Sequence, residues 1–128
     1  MGFVQNGATV YISSRTASAC DAAAAELTAL GPGRCVSLPA DLASYDECQR
    51  VKAEIERREG ILHVLVNNSG RSYEAPLASH SDQAWDDLMT LNVRRVFTLV
   101  QALTPLLEAG AGGGTGRVIN VSYPPSSG

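Results

Sequence analysis

The sequence predicts an α/β fold built on a doubly wound parallel sheet. Three observations point there: short β-rich runs alternate with helix-patterned segments, one of those runs is almost unbroken in its apolar residues, and small polar clusters follow the ends of the runs. Parallel strands need a crossover between them, and the helical segments supply it.

The first run, residues 8–13 (ATVYIS), follows Asn6-Gly7, a pair suited to closing a helix, so the residues before it read as a helix end. Residues 16–30 carry Cys20, Ala23, Ala24, Leu27 and Leu30 at the three-or-four spacing of one helical face, and Gly31-Pro32-Gly33 stops them. Residues 35–38 are the second strand. Ser44 and Glu47 then form a capping box for a helix to about residue 59, whose Asp46/Arg50 and Glu54/Arg58 pairs mark a solvated face. The third strand, 61–66, is apolar enough to be covered on both faces.

A long helix over residues 81–108 follows, with Ser79 and Asp82 placed to cap its start and Pro105 expected to bend its last turns. Its apolar stripe reads Trp85, Leu88, Met89, Val93, Val96, Phe97, Val100, Leu103 and Leu107. Residues 118–121 form a fourth strand. Gly112-Gly113-Gly114 follows a helix and precedes a strand, the reverse of a phosphate-binding loop, so it reads as a linker.

With 128 residues, 45% of them apolar, the chain can fill the core of one domain spanning 1–128. A net charge of −3 offers no basic patch for a phosphate backbone, which argues against nucleic acid as a partner. Cys20, Cys35 and Cys48 are odd in number and sit in helical or strand segments, as reduced, packed thiols of a cytoplasmic protein would. No apolar run approaches the roughly 18–20 residues that span a bilayer, and Met1 opens no targeting signal, so no membrane association is expected.

Ligands of doubly wound sheets sit beyond the carboxyl ends of the strands, so the clusters there are the candidate site, and all are expected on one rim. Arg15, just past the first strand, can meet a phosphate through its forked donors with Ser14 in support; a solvated arginine before a helix is the plainer alternative. Asp41, before Leu42, can bind a ring amino group or cap the turn into the next helix. Asn67-Asn68-Ser69-Gly70 is more specific. Its small residues admit a ligand close to the backbone, and its amides can lock neighbouring strand ends or face a ribose; an ordinary Asn/Gly turn is the alternative. Asn92 falls on the apolar stripe, where an unpaired amide would cost a few kcal/mol, so it needs a partner, either in the core or at the active rim.

Taken in order, Ser14-Arg15, Ala40-Asp41-Leu42, Asn67-Asn68-Ser69-Gly70, Leu91-Asn92-Val93 and Gly116-Arg117-Val118-Ile119-Asn120-Val121-Ser122 resemble the central half of short-chain dehydrogenases/reductases, up to about Ser122. The stretches ADLASYDECQRV and LMTLNVRRVFTLVQALTPLL are most similar to rhamnolipid-type β-ketoacyl-acyl carrier protein reductases and related fungal reductases. The resemblance implies a Rossmann-like fold and NAD(P)(H)-dependent hydride transfer on a small carbonyl or alcohol substrate. An arginine like Arg15, beside Ser14, favours NADPH over NADH by pairing the 2′-phosphate. Asp41, followed by Leu42, contacts adenine, and Asn68, Ser69 and Gly70 line the adenosine side. Asn92 helps hold a water and the catalytic lysine. Family members commonly pair through the helix around Asn92, so the full-length parent is expected to be a homo-oligomer.

The departures also bear on function. The chain starts inside the helix after the family's TGxxxGxG turn and stops before any YxxxK pair, so it resembles a piece truncated at both ends, without the first strand and the C-terminal third. Ser69 replaces the usual Ala, and the catalytic serine of the family's INxSS ending aligns with Tyr123, leaving Ser122 one position early and facing the other way unless the register shifts. On this reading the chain alone is an inactive fragment that binds NADPH no tighter than about millimolar, since the phosphate site is missing. A non-catalytic binding or interaction protein that keeps the middle of the fold is the alternative. Loss of the first strand is expected to leave strand edges unpaired, or to bring its two neighbours into direct pairing.

Overall fold

The computed structural model describes residues 1–112 and 116–122; the expectations for Gly113, Gly114 and Tyr123 lie outside them. The chain divides into two compact units, Met1–Leu42 and Ala43–Gly128.

In the first unit a short helix α1 (Gly2–Gln5) leads into β1 (Thr9–Ile12), α2 (Ala17–Thr28) and β2 (Arg34–Ser37). As expected, Asn6 and Gly7 close α1, with Gly7 at φ 86°, a conformation in which a side chain would be strained. Strands β1 and β2 pair in parallel, Thr9 opposite Arg34 through Ile12 opposite Ser37. The core is small: Val4, Ala24 and Cys35 are buried, with Val10, Ile12 and Leu27 against them. Alanine-rich α2 can therefore lie close to the strands.

The second unit runs α3 (Tyr45–Arg58), β3 (Val64–Asn67), a 3-10 turn (Leu77–Ser79), α4 (Asp82–Met89), a π turn (Thr90–Arg94), α5 (Arg95–Gly110) and β4 (Arg117–Asn120). Ser44 caps α3 by accepting from the Glu47 N–H at 3.4 Å. The Glu47 side chain turns away from the box and takes Arg50 in a fork, while Glu54 accepts from both Arg57 and Arg58. Helices α3 and α5 pack together, burying Cys48, Val51 and Ile55 on one and Leu99, Leu103, Leu106 and Leu107 on the other. Strands β3 and β4 are parallel, Val64 opposite Arg117 through Asn67 opposite Asn120.

The parallel α/β architecture read from the sequence holds, with three differences. The third strand begins only at Val64, because the Leu62 N–H donates instead to Leu106 O of α5. Nor is it covered on both faces: Val66 is 43% exposed and Ile119 on its neighbour 44%. Each strand's ladder partner lies within its own unit. Finally, the long helix is three pieces. Ser81 rather than Ser79 or Asp82 caps it, accepting from the Ala84 N–H at 3.1 Å, while the Ser79 hydroxyl donates to Pro76 O.

Candidate functional site

In the unit Met1–Leu42 the strand ends are joined by main-chain hydrogen bonds. The Leu38 N–H donates to Ile12 O at 2.9 Å and the Ala40 N–H to Ser14 O at 3.1 Å, so the ladder continues past both strands. This brings Ser14-Arg15 beside Ala40-Asp41. Arg15 and Asp41 are both exposed, and Leu42 is half-buried. The Ser14 hydroxyl donates to Thr16 O at 3.2 Å, at the entrance of α2, so in this state it helps form the turn. Two further hydroxyls at these strand ends, Ser13 and Ser37, have buried oxygens with no hydrogen-bond partner among the described residues.

A guanidinium and a carboxylate on one edge of a parallel pair suit a ligand bearing both a phosphate and an amino-substituted ring, so the residues present fit the distal end of a nicotinamide dinucleotide. The thiols beneath are not part of that chemistry. Cys20 donates from Sγ to Ile12 O, and burial, followed by the neighbouring Cys20, pushes the Cys35 thiol upward from its ordinary pKa. All three cysteines are free and buried.

In the unit Ala43–Gly128 the corresponding strand ends are joined by side-chain amides. Asn67, 7% exposed, donates from Nδ2 to Asn120 Oδ1 at 2.9 Å, and the ladder ends with the Val121 N–H on Asn67 O. The expected locking of neighbouring strand ends by an amide is thus observed, with Asn67 as the locking residue. Asn68, Ser69 and Gly70 follow, exposed. A Cβ at Gly70 would stand 3.6 Å from Asn92 Oδ1, so this turn runs directly against Asn92.

Asn92 differs from its expectation in one respect. It is exposed rather than embedded in an apolar stripe, yet both ends of its amide are engaged: Oδ1 accepts from the Arg71 N–H at 2.9 Å and Nδ2 donates to Arg71 O at 2.8 Å. The physical reason is the π turn Thr90–Arg94, which widens the helix at Asn92 and offsets the phase of the residues on either side. Such turns recur at functional sites. Ser122 lies two residues beyond Asn120, exposed. Arg71 as the partner of Asn92 escaped the sequence reading. The 21-residue separation leaves no periodic signal.

Against known proteins, a family model described as short chain dehydrogenase matches residues 1–124. The chain is 39% identical over 121 residues to the rhamnolipids biosynthesis 3-oxoacyl-[acyl-carrier-protein] reductase of Pseudomonas aeruginosa, covering 94% of this chain and 46% of that enzyme. It is 32% identical over 120 residues to gluconate 5-dehydrogenase of Gluconobacter oxydans, covering 94% of this chain and 45% of that one. Among solved structures it matches the RhlG/NADP active-site complex of Pseudomonas aeruginosa with a TM-score of 0.88 and 38% identity, over 95% of this chain and 47% of that one. The NADH-dependent reductase A1-R′ complexed with NAD matches at 0.83 with 30% identity, over 91% of this chain and 50% of that one. The chain thus spans about half the length of the curated relatives it matches. It belongs to the short chain dehydrogenase family.

Proposed function

We propose that these residues form part of an NADPH-preferring oxidoreductase acting on a small carbonyl or alcohol substrate. The observation that carries the reading is the hydrogen bond from Ala40 N–H to Ser14 O, which sets Arg15 and Asp41 on one edge of a parallel strand pair. The Pseudomonas aeruginosa structure that the chain matches is an NADP complex, which supports the same cofactor. When bound, the nicotinamide supplies or accepts the hydride. In the first unit Arg15 pairs with the 2′-phosphate, Ser14 supports it, and Asp41 accepts from the adenine amino group beside Leu42. In the second, Asn68, Ser69 and Gly70 line the adenosine side. Asn92, held by Arg71, orders a water and the family's lysine, and Ser122 is the candidate hydroxyl of the catalytic set.

The full-length product of the reading frame that encodes these residues tests this. It should oxidise NADPH in the presence of a 3-oxoacyl thioester, and Arg15→Ala should raise KM for NADPH about tenfold or more while leaving NADH use nearly unchanged. Absence of NADPH turnover, or equal loss with both cofactors, would reject the assignment.

One observation favours a self-association role for the second unit. Trp85, Met89, Val93 and Phe97 recur every four residues and are all exposed, Trp85 at 58% and Phe97 at 66%. On an uninterrupted α-helix that spacing drifts by ~40° per step, and the wider π turn between Met89 and Val93 rewinds part of the drift, so the four stand in a ridge. We read the ridge as the contact of a homo-oligomer. A two-fold axis near its centre would set Asp86 of each copy towards Arg94 of the other. Phe97→Asp should shift the sedimenting species towards monomer, and an unchanged distribution would remove the homo-oligomer reading.

A further inference from the structure

A cavity of about 230 Å3 opens beside the Asn92 lock, lined by Arg71, Tyr73, Ser81, Gln83, Ala84 and Asp87. Among its lining side chains Arg71, Tyr73, Ser81 and Gln83 can each donate a hydrogen bond, and Asp87 carries the negative charge. Asn92 holds only the main chain of Arg71, leaving the guanidinium to project into the cavity wall. The nearest counter-charge to that guanidinium is Asp87 Oδ2 at 3.6 Å, an ion pair too long for a hydrogen bond, with both side chains well exposed. Asp87 is held back by its own helix, because Oδ1 accepts from Gln83 Nε2 at 2.9 Å. The Tyr73 ring is set by an edge-on contact with His80, 5.1 Å between centroids, and its phenol makes no hydrogen bond to a described residue. The Ser81 oxygen accepts from the Ala84 N–H, and its proton remains available to donate.

The guanidinium fork, a phenol and a hydroxyl thus face a space whose one negatively charged lining group, Asp87, is already partly committed. We propose that this cavity binds the carboxylate of a small organic acid, with Arg71 taking both oxygens in a fork and Tyr73 and Ser81 donating to its edge. Planar two-point pairing is what a guanidinium offers a carboxylate and what the 3.6 Å contact with Asp87 fails to provide. At roughly 30 Å3 per water-sized group the space holds the head of a three- to five-carbon acid. Because Arg71 is bonded through its backbone to Asn92, this carboxylate would lie next to the proposed active rim. That last step rests on the oxidoreductase reading; the binding itself does not.

The test is a nuclear magnetic resonance titration of the isotopically labelled chain with lactate, acetate and inorganic phosphate, without nicotinamide. Lactate should shift the amides of Arg71, Tyr73, Ser81 and Ala84 and saturate at roughly millimolar concentration. Arg71→Gln should weaken lactate about tenfold or more. Asp87→Asn, which removes the competing carboxylate, should strengthen it severalfold. If Arg71→Gln loses its native spectrum, the Asp87→Asn arm decides alone. Tighter binding of phosphate than of lactate, unchanged affinity in Arg71→Gln, or weakened affinity in Asp87→Asn would each overturn the proposal. NADPH turnover by the full-length product is a separate readout, so failure here and failure of the oxidoreductase reading are distinguishable.

Discussion

The two units build their strand-end rims from different material. In Met1–Leu42 the rim is main chain: Ser14 O and Ile12 O accept from Ala40 and Leu38 N–H groups, and the hydroxyls of Ser13 and Ser37 are left without partners among the described residues. In Ala43–Gly128 the rim is side chain: Asn67 bridges to Asn120, and Asn92 clasps both backbone groups of Arg71. The difference teaches where substitutions can reach. A backbone-built rim survives replacement of its side chains, so Arg15 and Asp41 are open to change for ligand specificity. An amide-built rim is only as durable as its asparagines.

The largest effect expected lies in the unit with the amide-built rim, at the other end of β3. A Cβ on Gly110 would fall against the Leu62 carbonyl, where β3 is tethered to α5, so Gly110→Ala should lower stability by about 2–3 kcal/mol in urea unfolding. Next, Asn67→Ala removes the buried amide that donates to Asn120 and should cost about 1–2 kcal/mol, more than any single side-chain change on the Ser14-Arg15 rim. If Arg15→Ala proves equally costly, the contrast between the units collapses. Asn92→Ala removes two exposed hydrogen bonds and should cost only about 1 kcal/mol, with its clearest signature in faster amide exchange at Arg71.

Two smaller tests sharpen the comparison. Ser37→Ala deletes an orphaned hydroxyl and should leave stability unchanged or raise it by up to about 1 kcal/mol; a clear loss would mean that the hydroxyl has a partner in solution. The smallest effect is a matter of pH. Arg57 and Arg58 hold the Glu54 carboxyl at a pKa of about 2 through hydrogen bonds. A depressed carboxyl stabilises the folded state above its unfolded pKa, about 4.3, and that contribution fades as pH falls through the folded value. Far-ultraviolet circular dichroism of α3 should therefore weaken between about pH 4.3 and 2, and Glu54→Gln should remove that dependence.

Much of this architecture was legible in the sequence for local reasons. Ser44 and Glu47 mark the start of α3 within one turn of chain, and Asn6-Gly7 ends α1 through glycine's access to positive φ. The four strands were legible because β-rich runs between helical patterns have few other uses. The start of α4 was less so: Ser79, Ser81 and Asp82 are all capable caps, and only the 3-10 turn that spends the Ser79 hydroxyl on Pro76 leaves Ser81 at the helix entrance.

Taken alone, the sequence determined the alternation of strands and helices, the polar clusters beyond their ends and the need of Asn92 for a partner, because each is written in residues close together along the chain. Tertiary structure alone decided that the partner is the backbone of Arg71, that the apolar stripe stands exposed at Trp85, Met89, Val93 and Phe97 across the π turn and is buried only at Leu103 and Leu107, and that Asn67 finds Asn120. Those outcomes depend on helix phase and strand register, which are set by packing across 21 and 53 residues of separation and leave no local pattern to read.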